Sequence, residues 1–171
     1  ITEFDDHAYH DVDELNPKES GKTWIGDKMT SYAPTKNFSY NFPNLVTATP
    51  VRVLSSLASR TGYGSNTTVT VNSQTVFTHT DGGISPSTTY PPGAVVSTLS
   101  ANYTAASDQL NIGYTFNVSY DPTGNAATYI DYFELHVKRR LSMAGNLMMF
   151  RSIASIGAGS ISQFQLENAS S

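Results

Sequence analysis

The chain has 171 residues, enough for one all-β domain, with 10 basic and 14 acidic side chains for a net charge of −4. Charged residues are only 14%, and the polarity comes instead from 21 Ser, 20 Thr and 12 Asn. Cysteine is absent, which excludes a disulfide scaffold, thiolate metal sites and a cysteine nucleophile within these residues. The acidic balance lacks the basic footprint of a nucleic-acid binder. No apolar run reaches the ~20 residues of a membrane-spanning helix.

Residues 1–20 are acidic and irregular, and read as an extended lead-in. Asp5, Asp6, Asp11 and Asp13 offer carboxylates to a hard cation, but in no EF-hand order. His7 and His10 sit among them without the helix that would bring i and i+3 imidazoles together. Residues 21–171 read as a single domain.

The first strand signal is the alternation of Phe38, Tyr40 and Phe42 with Asn37, Ser39 and Asn41. Val51–Ala58 is apolar on both faces, which predicts a central strand. Thr67–Val71 and Thr75–Thr78 flank Asn72-Ser73, a tight-hairpin signal. Residues 79–93 hold three glycines and three prolines and predict a long surface loop. Ala94–Ala101 and the clean alternation Leu110, Ile112, Tyr114, Phe116, Val118 predict two more strands. Tyr129–Leu141 predicts a long strand with Tyr129, Asp131, Phe133, Leu135 and Val137 on one face. Met143–Asn146 then predicts a hairpin into Leu147–Arg151, and Ile161–Leu166 a last strand. No segment keeps helical spacing for three turns. The expectation is an all-β, antiparallel β-sandwich of about eight strands, jelly-roll-like.

Few residues announce chemistry. No Gly-x-Ser-x-Gly elbow or paired glycosidase carboxylates stand out. Asp131, among large apolar residues, is expected to cap backbone amides at a sheet edge or bend. Lys138-Arg139-Arg140 is the only basic run, expected to be a solvated strand end or else a patch for an acidic partner. Trp24, Tyr63 and Tyr90 lie beside turns, where an aromatic face can stack on a sugar. Nothing calls for a cofactor.

Several segments resemble one family. Ser20–Asp27 (SGKTWIGD) is similar to a pattern SGR-x-W-[FY]-G-E, and Asn41–Val46 (NFPNLV) to F-x-I-P-N-L-V. Tyr129–Leu135 followed by Arg139-Arg140-Leu141 is similar to W-L-D-Y-[IV]-E-[IL] and R-x-L, and Asn146–Arg151 to QM-x-FR. These patterns are those of the PorU family, gingipain-like cysteine peptidases of the type IX secretion system. The order agrees from about Phe4 to Gln165, with Tyr129 in place of the family's Trp and Asp27 in place of its Glu.

The resemblance implies the β-rich region that precedes the peptidase domain, on a surface protein of Bacteroidetes. No catalytic residue carries over. The implied work is packing against the downstream peptidase domain, or against other secretion-system proteins, at the outer-membrane surface or in the periplasm of a Gram-negative bacterium. The chain begins at Ile1 without Met and reads as a mature or excised piece. The competing expectation is a carbohydrate-binding jelly-roll module.

Overall fold

A computed structural model describes residues 1–19, 21–84 and 93–169. Among them are nine strands and no α-helix: β1 (Glu3–Asp11), β2 (Gly26–Thr30), β3 (Thr35–Asn41), β4 (Val51–Arg60), β5 (Ser65–Val71), β6 (Gln74–Asp81), β7 (Val95–Tyr103), β8 (Gln109–Val118) and β9 (Ala127–Arg140). They form two antiparallel sheets. One runs β1-β9-β4-β7, with β2 also on β9; the other runs β3-β8-β5-β6. Without β1, the orders 2-9-4-7 and 3-8-5-6 are those of a jelly roll built from two Greek keys. β4 is central, between β9 and β7, as its two apolar faces require.

The core lies where the inward residues of the two sheets meet. Leu110, Ile112, Tyr114 and Phe116 of β8 face Val53, Leu57, Phe133 and Leu135 of β4 and β9. Such close-packed burial contributes roughly 1.5–3 kcal/mol per large side chain. Tyr114 is buried and donates its hydroxyl to Ser55 at 3.1 Å, so its polar end is satisfied inside the core. The β5–β6 turn has positive φ at both Asn72 (48°) and Ser73 (67°). That is the two-residue geometry whose twist matches antiparallel strands.

The acidic lead-in is not a separate unit. Glu3–Asp11 is extended, as the sequence suggested, but pairs with β9 over nine residues, so the boundary drawn at residue 20 does not divide the fold. β1 and β2 lie on the same edge of β9, β1 along Tyr132–Arg140 and β2 along Ala127–Ile130. The lead-in and the basic run supply each other's counter-charges across this pairing. Asp5 bonds Lys138 at 2.7 Å, and Asp6 bonds Arg139 at 2.7 Å. Arg139 also donates to the Pro43 carbonyl and lies over the Phe4 ring, 5.1 Å from its centroid. Lys138 and Arg139 are therefore not a solvated strand end.

Three further expectations change. β6 extends to Asp81, so the loop expected from residue 79 starts later; residues 85–92 lie outside the described residues. The strict alternation along β9 breaks at a β-bulge. Ser56 faces Tyr132 and Leu57 faces Ile130, which leaves Asp131 as the extra residue. Tyr129 consequently turns away from the main core and packs with Ile25, Ala58 and Ala127 on the outer side.

Finally, neither Leu147–Arg151 nor Ile161–Leu166 is a strand. Both edges of β9 are already occupied, by β4 on one side and β1 and β2 on the other, so a hairpin returning from β9 has no ladder to join. Isolated contacts fix the segment instead, among them a Ser142–Glu167 bridge and the Gln165 N–H on the Ile1 carbonyl.

Candidate functional site

Two surfaces stand out by chemistry. The first is the outer face of the β1-β9-β4-β7 sheet. Cross-strand register builds it in rows: His7, His136 and Arg52; then Tyr9, Glu134 and Leu54; then Asp11, Tyr132 and Ser56. Tyr9 and Tyr132 are neighbours, 6.1 Å between ring centroids with a 35° tilt, and Tyr9 is half exposed. The Tyr9 hydroxyl donates to Asp11 at 2.6 Å. That bond, together with burial and the charges of Asp11, Glu134 and Asp131, pushes its pKa up to about 12.

The bulge turns Asp131 onto this face, where it accepts from the Ser56 hydroxyl at 2.9 Å. Ser56 in turn accepts from Thr98 at 3.1 Å. Asp131 thus bonds a side-chain hydroxyl rather than capping backbone amides. Its carboxyl is raised above the usual value. Burial is the main cause, the Ser56 hydrogen bond opposes it, and the charges of Asp11 and Asp13 add to it. The other end of the face is basic and histidine-rich. His136 bonds Glu134 at 2.5 Å, and the rings of His7 and His136 stack at 6.2 Å.

The second surface is the segment after β9. Leu147 (85% exposed), Met149 (88%), Ile153 (70%), Ile156 (80%) and Ile161 (100%) present their side chains to solvent within fifteen residues. The middle of the segment is nevertheless pinned to β1. The Asp5 N–H donates to the Arg151 carbonyl at 2.8 Å, and the Ile153 N–H donates to the Asp5 carboxylate at 2.8 Å. An Arg151 guanidinium nitrogen lies 2.7 Å from Nδ1 of His7. Phe150 packs on Phe4 and Phe164. Burial raises the Asp5 pKa, but the hydrogen bonds from Lys138 and Ile153 and the charges of Lys138 and Arg151 outweigh it, so the carboxyl titrates below 3.8.

The residues singled out by sequence are dispersed. Trp24 and Tyr63 are each about half exposed, and Tyr63 packs edge-on against Tyr120 at 4.8 Å. Tyr90 lies outside the described residues. Asp5 and Asp6 are engaged with basic side chains and Asp11 with Tyr9. Among the described residues no group of three or more His, Asp or Glu side chains is arranged to hold a metal ion. His10, read with the metal candidates, lies between Phe38 and Phe133 and bonds Asp27 at 2.5 Å. Sequence reasoning missed the Tyr9–Tyr132 pair. The sequence around Tyr9 carries no alternation that would mark a strand, and bringing it to Tyr132 needs the β1–β9 register.

No family model matches the sequence, and no curated protein sequence matches it. Solved structures do match in shape. Dimeric latent PorU from Porphyromonas gingivalis superposes with a TM-score of 0.70 at 18% identity, covering 91% of this chain and 14% of that one. The chain resembles one part of PorU in fold. A carbohydrate-binding module CBM36 solved with calcium and xylotriose gives a TM-score of 0.45 at 18% identity, over 79% of this chain and 99% of that one. The CBM36-1 domain of a xylanase from the hindgut metagenome of Trinervitermes trinervoides gives 0.43 at 12%, over 76% and 96%.

Proposed function

We propose that this chain is a non-catalytic β-sandwich module of a PorU-like, gingipain-like surface protein of the type IX secretion system. Its work is to pack against and position the cysteine peptidase domain of the same polypeptide, or a secretion partner. The protein is exported to the periplasm or outer-membrane surface of a Gram-negative bacterium.

The observation that carries this reading is the run of exposed apolar side chains at Leu147, Met149, Ile153, Ile156 and Ile161. Single exposed apolar residues are ordinary on a monomer, but five in one short segment mark a surface made to be covered. A freely fraying tail would have no defined face. Here the Asp5, Arg151 and Ile153 bonds tie the middle of the segment to β1. The likeness of fold to a PorU segment supports the choice of parent. The absence of cysteine is consistent with a module that holds no peptidase nucleophile.

The test is co-purification of the chain with a gingipain-like peptidase domain encoded in the same reading frame. The combined variant Leu147→Ser, Met149→Ser, Ile153→Ser is expected to weaken that association at least tenfold while leaving the melting temperature within a few degrees. A reading frame without such a domain, or an association indifferent to the variant, overturns the reading.

A further inference from the structure

The outer face of the first sheet has a chemistry that the apolar segment does not share. Tyr9 and Tyr132 stand side by side on adjacent strands, open to solvent on the Tyr9 side. Around them lie Asp11, Asp13, Asp131 and Glu134. The charges acting on Tyr9 come from Asp11, Glu134 and Asp131, and those acting on Asp131 from Asp11 and Asp13, all of them negative. His136 bonds Glu134 alone, and Lys138 is taken by Asp5 one row beyond. Glu134 is thus countered by His136, with Arg52 one row away, while Asp11 and Asp131 bond hydroxyls, of Tyr9 and Ser56, rather than cations.

We infer that this end of the face binds a basic polypeptide segment, seating an arginine or lysine head group against Tyr9 and Tyr132. A ring face attracts a cation through its quadrupole, and a guanidinium is planar and weakly hydrated enough to stack there. Carboxylates at the ring edges accept its N–H groups. The carboxylates are not arranged to enclose a bare metal ion. The outward side chains stand in cross-strand rows, which suits an extended chain whose side chains reach down onto them. Charge complementarity selects this occupant over a neutral glycan, which would leave the negative charge uncompensated.

The experiment is calorimetric titration of the whole chain with hexa-arginine at low ionic strength, beside the neutral cellohexaose. Saturable 1:1 binding of hexa-arginine is expected. Tyr9→Ala combined with Tyr132→Ala should weaken it about tenfold, the sum of two exposed cation–ring contacts. Tyr9→Phe keeps the ring and should stay within about twofold. Asp131→Asn and Glu134→Gln preserve side-chain shape and should each weaken binding about threefold. They therefore carry the test if the double alanine variant fails to fold. Glu167→Gln removes the same unit of charge beyond the far end of β9 and should have little effect. Absence of hexa-arginine binding overturns the inference. So does an equal loss from Glu167→Gln and Asp131→Asn, which would leave only net charge. Binding of cellohexaose that Tyr9→Ala abolishes, without binding of hexa-arginine, would make the face a glycan site instead.

Discussion

The two outer faces of the sandwich are made of different chemistry. On the β3-β8-β5-β6 sheet the outward side chains include Asn37, Ser39, Asn66, Thr68, Asn111, Thr115 and Asn117, none of them charged. They bond one another across strands: Gln109 donates to Ser39 at 2.7 Å, Ser39 to Asn111 at 2.6 Å, and Asn117 to Asn66 at 3.2 Å. On the β1-β9-β4-β7 sheet the outward side chains include ionic and aromatic groups: Asp5 pairs with Lys138 and Glu134 with His136, while Asp11 and Asp131 bond only hydroxyls. The chain-wide 14% of charged residues is thus an average over one face with almost none and one with many. A face whose polar groups are satisfied by their own neighbours has little to offer a partner, while one with carboxylates that pair with no cation and with open rings does.

A first test lies on the core side of the charged sheet, at the Asp6–Arg139 pair. Arg139→Ala leaves Asp6 without its partner and the Pro43 carbonyl without its donor. Chemical unfolding should show a loss of about 2–3 kcal/mol, the cost of removing a charged donor from a partly buried carboxylate and a carbonyl. No single Asn or Ser truncation on the neutral face should exceed about 1 kcal/mol, since each of its hydrogen bonds contributes about that much. A loss below 1 kcal/mol in Arg139→Ala would remove the distinction.

A second effect lies between the faces. His79 is buried, its Nε2 has no hydrogen-bond partner, and Nδ1 is 2.9 Å from Ser97 Oγ. Burial lowers its pKa from 6.5 to about 4. The unfolded chain therefore binds a proton that the folded chain refuses. The stability His79 contributes is fully present above pH 6.5 and is lost as the pH falls toward about 4. The expected loss over that window is about 3 kcal/mol, read from denaturant midpoints at each pH. His79→Phe should flatten the curve there. Variants of the uncharged face should shift the curve without altering its shape.

Smaller effects refine the picture. Gly113 lies on the neutral face, where an added Cβ would meet Thr70 Oγ1 at 2.8 Å and Asn37 Oδ1 at 3.0 Å. Gly113→Val should cost about 1–2 kcal/mol by thermal unfolding, through overcrowding of the ladder. Asp131→Asn belongs to the other face and should be the mildest change. Its raised pKa means the charged form is disfavoured on folding, so neutralising it should leave stability at pH 7 unchanged or slightly higher, within about 0.5 kcal/mol. A clear loss would mean that the Ser56–Asp131 bond outweighs the repulsion from Asp11 and Asp13.

Most of the sandwich was legible because period-two alternation survives wherever one face is buried, as at Phe38–Phe42 and Leu110–Val118. β1 was not legible, because Glu3–Asp11 places acids on both faces and its partners lie some 130 residues away in the chain. The bulge at Asp131 was equally hidden, since an extra residue is visible only against the paired strand. Apolar alternation after Met143 misled in the opposite direction. It marked residues facing outward from a segment with no ladder to join. Neither of the two surfaces could be assembled from Trp24, Tyr63 and Tyr90, whose proximity to turns says nothing about which strands meet.

The shared edge of β9 has a consequence for how the molecule comes together. β2 alone fills the jelly-roll position at the start of β9, so the two Greek keys can close while β1 is still a loose chain. Docking β1 closes a loop of about 120 residues, and loop entropy grows only slowly with such length, but the search is slow. β1 is thus expected to join last. While it is away, Tyr132–Arg140 is an unpaired strand edge, and the apolar segment pinned to Asp5 is released with it. Docking of this one strand therefore closes the sheet edge and anchors the segment after β9 in the same step.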